Sequence, residues 1–143
     1  NSPLYQKLVI QDKKALNVGA YYDGISRSFG SFSFSAVPRG KLDEQFEKYV
    51  EDAWNYAIKK FNESELEKTK KKMLSDIVYM KDNPSVLAQT TGWMASTGVK
   101  IDELQKYEEN IKNVKVNDVK NMADFVWNKA PKVTGILLAG EDK

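Results

Sequence analysis

The side chains best suited to acid–base or metal chemistry are five carboxylates in the first long predicted helix. Paired-carboxylate catalysis needs burial or a tight pair to shift the pKa of one member, and no spacing here resembles an EF-hand calcium loop. All five fall opposite the apolar stripe of that helix, which favours a solvated face over a site. They are Asp43, Glu44, Glu47, Glu51 and Asp52.

The 143-residue chain contains no histidine and no cysteine. Histidine is the commonest metal ligand and the usual general base near neutral pH, so Ser-His-Asp triads, Cys-His pairs and His-ligated zinc sites are excluded within it. The lack of cysteine excludes disulfides, thiolate zinc sites and iron–sulfur clusters. We therefore predict no catalytic, cofactor-binding or metal-binding residue in this chain, and no activity for the chain alone.

One basic cluster, 68–72, contains four lysines, but the net charge of the chain is only +2. On a helix these lysines spread around the axis, whereas nucleic-acid binding favours a wider basic surface with interleaved aromatics. No stretch reaches the ~18 to 20 apolar residues of a membrane span. We predict neither a nucleic-acid partner nor a membrane span.

The tryptophans offer a ligand pocket as a further possibility. Trp54 falls on a helical apolar stripe, which is typical of core residues. Trp93 follows Gly92, which allows close helix approach, so packing in the core or at a domain interface is favoured over a binding pocket. An unrelated α+β ligand-binding domain, with Tyr21, Tyr22 and Trp93 as pocket aromatics, stays open as an alternative.

Hydrophobic periodicity predicts the element order α-β-β-α-α-α-α-α-β in a single domain, 1–143. Period-two alternation predicts the first two strands, and capping residues before apolar stripes predict most helix starts. The predicted helices are 4–10, 42–61, 62–80, 83–96, 101–112 and about 117–127, and the predicted strands are 16–23, 31–37 and 132–138.

The predicted fold class is α+β, with a small, mainly antiparallel three-stranded sheet packed by several helices. The last strand is apolar on both faces, which is typical of a central strand and indicates a sheet that continues into another chain segment. The sequence begins Asn1-Ser2-Pro3 without an initiator methionine, so we expect a fragment or a processed product. The compartment stays open between periplasm and cytoplasm, with a bacterial source as the working guess.

Seven segments in order resemble the zinc metallopeptidases of the pitrilysin/insulinase type, which carry an inverted His-x-x-Glu-His motif and include the processing peptidases. The resemblance covers essentially the whole chain and lies in the ordered set rather than in any single piece. It matches the opening and closing parts of the second half of a peptidase domain. The segments are 4–8, 15–24, 32–40, 62–70, 96–98 with the helix that follows it, 114–119 and 133–138.

The resemblance implies one half of a clamshell peptidase domain. Zinc and the catalytic glutamate would lie in a missing N-terminal half-domain, where zinc activates water to hydrolyse a peptide substrate. A partner peptidase-like domain or subunit would close the chamber. Val9 and Leu16 stand where partner domains place an arginine and a tyrosine, which favours the zinc-binding domain. A non-catalytic paralogue acting as an assembly or peptide-binding subunit is the alternative.

Overall fold

A computed structural model describes residues 2–137 and shows an α+β fold, as predicted. α1 and α6 each continue as a π-helical segment. The elements are α1 (Pro3–Tyr5, continued by Gln6–Gln11), β1 (Ala15–Asp23), β2 (Ser31–Pro38), α2 (Phe46–Lys60), α3 (Glu63–Asp82), α4 (Pro84–Thr97), α5 (Ile101–Asn113) and α6 (Val116–Asp124, continued by Phe125–Lys129).

The sheet of residues 2–137 has two antiparallel strands rather than the three predicted. Val18 pairs with Ala36, and the register shifts near Ala15, where β1 begins. Residues 131–137 have no regular secondary structure, and Leu138, the last residue of the predicted strand, lies outside the described residues. A strand forms only where its backbone groups find a neighbouring strand, and residues 131–137 pair with neither β1 nor β2.

Two helices begin at the predicted capping residues. The Asn62 Oδ1 accepts a hydrogen bond from the Glu65 amide at 3.2 Å, and the Asn83 Oδ1 accepts from the Ser85 amide at 3.1 Å. Gly98 ends α4 with φ of 85°, a left-handed conformation that glycine adopts at little cost. These predicted boundaries are therefore confirmed.

α2 begins at Phe46, later than the predicted start at Leu42. The Asp43 carboxylate accepts a hydrogen bond from the Gln45 amide at 2.8 Å. The backbone carbonyl of Asp43 accepts another from the Phe46 amide at 2.9 Å. An aspartate that bonds to nearby backbone amides stabilises a turn in competition with the helix. Asp43 thus delays the start of α2.

Beneath one face of the sheet lies a contiguous group of buried apolar side chains, here called the sheet cluster. Alternate strand residues Val18, Phe34 and Ala36 pack against it from the sheet. The serines of β2 alternate with these residues and are exposed, so the predicted apolar and polar faces are present. The sheet cluster consists of Leu4, Leu8, Val9, Ala15, Val50 and Ala53.

α3, α4 and α5 pack against one another and are here called the helical unit. Its buried apolar residues lie outside the sheet cluster. Polar contacts also join α3 to α5: the Lys70 Nζ donates to the Lys112 carbonyl at 3.1 Å, and Lys81 pairs with Glu108. Among the residues of this unit whose burial the structure describes, Leu66, Ile77, Met94 and Ile111 are buried.

Candidate functional site

The predicted acidic face of α2 and the turn before it is solvated. All five carboxylate residues are exposed, and Asp43 is engaged in the turn. Within the described part of the chain, no group of three or more His, Cys, Asp or Glu residues could hold a metal ion. The geometry thus brings no carboxylate pair into a setting suited to acid–base chemistry.

Three lysines of the predicted basic cluster, Lys68, Lys70 and Lys71, line an open cleft of about 720 Å³ between α3 and the end of α5. Lys68 pairs with Glu65 at 3.0 Å, and Lys70 pairs with Glu67 at 2.9 Å. Each pair is an i,i+3 contact on one helix, which partly neutralises the cluster. Lys70 also donates to the Lys112 carbonyl, so it joins α3 to α5.

The proposed pocket aromatics are not gathered into one pocket. Tyr21 and Tyr22 are consecutive on β1 and point to opposite faces of the sheet, while Trp93 lies on α4. A second open cleft, of about 300 Å³, is lined by Trp54, Lys59 and residues of α6 and its π-helical continuation. Neither cleft is lined by Tyr21, Tyr22 or Trp93.

Trp54 packs at the margin of the sheet cluster, as its stripe predicted. Its ring stacks on Trp127, with centroids 5.0 Å apart and planes 18° apart. Phe34 meets both tryptophans edge-on. Aromatic pairs in such arrangements stabilise a fold beyond the effect of area burial. The stack holds the π-helical continuation of α6 against the sheet.

Asp124 stands at the edge of the smaller cleft, near the end of α6. Its carboxylate accepts hydrogen bonds from Lys129, at 2.8 Å, and Asn128, at 2.8 Å. These bonds lower the pKa of Asp124, chiefly through Lys129. A carboxyl whose pKa lies below its usual range is further from neutral pH than an ordinary aspartate, so it is suited to structural pairing rather than to proton transfer.

Among residues 2–137, no third strand pairs with the outer edge of β1 or of β2. β1 has nine residues and β2 has eight, with Asp23 the one charged residue among them. Proteins protect exposed sheet edges with charges, proline, bulges or short strands. Here the bulge near Ala15 and the proline at Pro38 protect one end of the hairpin. The rest of each edge presents backbone donors and acceptors for another strand.

Residues 131–137, here called the tail segment, leave the fold beside the sheet. The segment follows the π-helical end of α6, and the Lys132 Nζ lies 5.6 Å from the centre of the Trp127 ring. Val133 is 100% exposed and Leu137 is 99% exposed. The sequence predicted an apolar strand here, and the structure shows these residues exposed and without regular secondary structure.

Val9 and Leu16, the two positions that the resemblance compares with an arginine and a tyrosine, lie in different surroundings. Val9 is buried in the sheet cluster, whereas Leu16 is exposed on β1. Two apolar side chains, one of them buried, supply no charged or hydroxyl group to a peptide.

The chain exposes more surface than its mass requires. Its accessible surface is 11186 Å², whereas a compact monomer of 16.3 kDa is expected to expose about 7,500 Å². No helix among residues 2–137 is long and apolar enough to cross a membrane.

No protein-family model matches the chain, and no curated protein matches it significantly.

Proposed function

We propose that the chain is the second, non-catalytic half of a zinc-peptidase domain of the pitrilysin/insulinase type. Its role is structural: it completes the sheet of a first half-domain and forms a wall of the peptide chamber. The ordered resemblance over 4–138 supports the family. The third strand and the clamshell arrangement belong to the same proposal, since both need the other half.

The single observation that carries the proposal is the unprotected sheet beside the exposed tail segment. Val133 and Leu137 have the same parity, so they would share one face of a strand, while Ile136 would lie on the other. A strand that is apolar on both faces is stable in the middle of a sheet that is covered on both sides. The two described strands supply neither condition, whereas a partner half would supply both.

The residues of this chain do not fit a zinc site. The chain has no histidine or cysteine, and its carboxylates are not clustered as ligands over residues 2–137. The proposal therefore assigns the metal and the catalytic glutamate to the other half. No step of peptide hydrolysis is assigned to a residue of this chain.

The most direct test is the coding sequence that precedes Asn1, together with peptide cleavage by the full-length protein. A His-x-x-Glu-His motif there, with zinc-dependent cleavage, would support a catalytic parent. A degenerate motif with no cleavage would identify the paralogue instead. An upstream region with no related half-domain would contradict both forms of the proposal.

The tail segment gives a second test, in which the chain and the first half-domain are co-expressed. Leu137→Asp should abolish their association, because it places a charge in a central strand, yet leave the thermal midpoint of the chain alone unchanged. Tyr79→Asp is the matched control, since Tyr79 is 72% exposed on α3. Association unaffected by Leu137→Asp would remove the tail segment from the interface.

A further inference from the structure

The open cleft between α3 and the end of α5 brings together charged side chains that are distant in the sequence. Its lining residues on α3 are three or four positions apart, which places them on one face of that helix, and Lys112 joins them from α5. Lysines predominate, and Glu67 is the one acidic residue among the described lining residues. The whole chain has a net charge of only +2, so the cleft concentrates positive charge. The lining residues of interest are Glu67, Lys68, Lys70, Lys71, Leu74 and Lys112.

The ammonium group of Lys70 is fixed in the cleft by two acceptors from the protein. Its Nζ donates to the Glu67 carboxylate at 2.9 Å and to the Lys112 carbonyl at 3.1 Å. The side chain of Lys70 is only 13% exposed. A lysine ammonium has three N–H donors, so one donor remains beyond these two bonds. That donor is already positioned for an acceptor from outside the chain.

Lys71 and Lys112 supply positive charge that the described part of the chain does not pair. The ion pairs of the described residues include Lys68 and Lys70, but neither Lys71 nor Lys112. Ammonium groups that line the same cleft repel one another, and an anion bound between them offsets that repulsion. The cleft is therefore complementary to a ligand that carries more than one negatively charged oxygen.

We propose that this cleft binds a small organic phosphate, with one phosphate monoester group and a compact apolar body. A phosphate monoester carries about −1.5 to −2 charge at pH 7 and three strong acceptor oxygens. These oxygens match the remaining donor of Lys70 and the unpaired ammonium groups of Lys71 and Lys112, since lysine binds phosphate as a point charge. Leu74 provides an apolar contact for the rest of the ligand. The volume of about 720 Å³ lies within the range of small-molecule sites, about 300 to 1,000 Å³.

A nucleic acid fits the cleft less well than a small ligand does. Proteins that bind single strands combine a basic groove with aromatic side chains on which the bases stack, and the described lining residues include no aromatic. The Glu67 carboxylate, 2.9 Å from the Lys70 Nζ, also opposes a continuous row of phosphates. The proposal concerns α3 and α5 alone, so it is independent of the peptidase role, the sheet and the tail segment.

Titration of the chain with phenyl phosphate, measured by isothermal titration calorimetry, tests the proposal. We expect one-to-one saturable binding with a dissociation constant of about 1 mM or below. Lys71→Glu should raise that constant by at least about tenfold, because it replaces an attractive charge in the cleft with a repulsive one. Lys72→Glu is the matched control, since it changes the net charge equally at a residue that is not among the described lining residues. It should raise the constant by less than about twofold because solvent and salt screen its charge.

Lys112→Glu is a second variant, on the other helix, and should weaken binding as Lys71→Glu does. Circular dichroism should show the same helix content for all three variants. No saturable binding at about 10 mM phenyl phosphate would overturn the proposal, as would equal losses in Lys71→Glu and Lys72→Glu. Binding to phosphatidic acid vesicles or to a single-stranded oligonucleotide, without binding of phenyl phosphate, would also overturn it, in favour of a lipid surface or a nucleic acid.

Discussion

The sheet cluster joins side chains from α1 and its π-helical continuation, β1 and α2 in one contiguous core. In the helical unit, by contrast, α3 buries Leu66 and Ile77 over twenty residues, and α4 buries Met94 over fourteen. Burial of apolar area is the main stabilising contribution to folding. The difference teaches that the sheet side contributes more of the buried apolar core than α3 and α4 do.

The strongest way to test that difference is a pair of leucine-to-alanine substitutions. Leu8 is 0% exposed within the sheet cluster, so Leu8→Ala should lower the free energy of unfolding by about 4 kcal/mol. Leu66→Ala, in the helical unit, should cost about 2 kcal/mol because neighbouring side chains can move into the space. Urea denaturation measures both, and equal losses would contradict the comparison.

Trp54 tests the junction between the sheet cluster and the end of α6. Trp54→Ala should cost about 3 kcal/mol, the lower end for such substitutions, because Trp54 is partly rather than fully buried. It should also remove the near-ultraviolet circular dichroism of the stacked Trp54–Trp127 pair. Trp93→Ala is the matched control, and a near-neutral effect of Trp54→Ala would place that ring outside the core.

A smaller effect is expected at the start of α4. The Asn83 side chain accepts from two amides, those of Ser85 and Val86, at 3.1 and 3.2 Å. Asn83→Ala should therefore cost about 1 kcal/mol, a typical value for losing an N-cap. Hydrogen exchange should show faster exchange in α4 and no change in β1. Equal acceleration in both would mean that the two regions unfold as one unit.

The smallest effect concerns acid stability of the helical unit. The hydrogen bond from Lys81 lowers the pKa of Glu108 below its ordinary 4.5. A lowered folded pKa stabilises the fold above the unfolded pKa, and this contribution is lost as the pH falls through the folded pKa. Glu108→Gln should therefore reduce the difference between the urea midpoints measured at pH 7 and at pH 3. The matched control Glu109→Gln should reduce that difference less.

Sequence patterns predicted elements best where local chemistry decides them. Asn62, Asn83 and Gly98 bound their helices as expected because capping depends on neighbouring residues alone. Phe32 and Phe34 alternate with serines, and this alternation fixed which face of β2 packs inward. Asp43 shows the limit: a single side-chain turn moved the start of α2 to Phe46.

The sequence was less able to predict how residues 132–138 and Trp93 are placed. The apolar residues of 132–138 have strand character, but a strand also needs a neighbour, which local pattern does not supply. Trp93 illustrates the same point, since an aromatic beside a glycine fits a core and an interface equally well. Only its exposure, at 48%, separates the two cases.

The antiparallel hairpin formed by β1 and β2 has a consequence for the rate of folding. β1 and β2 are adjacent in sequence and pair with each other, and α3 packs against α4, the next helix in the chain. Domains dominated by local contacts fold in microseconds to milliseconds. We therefore expect β1 and β2 to pair before Trp127 packs on Phe34, because that contact joins distant parts of the chain.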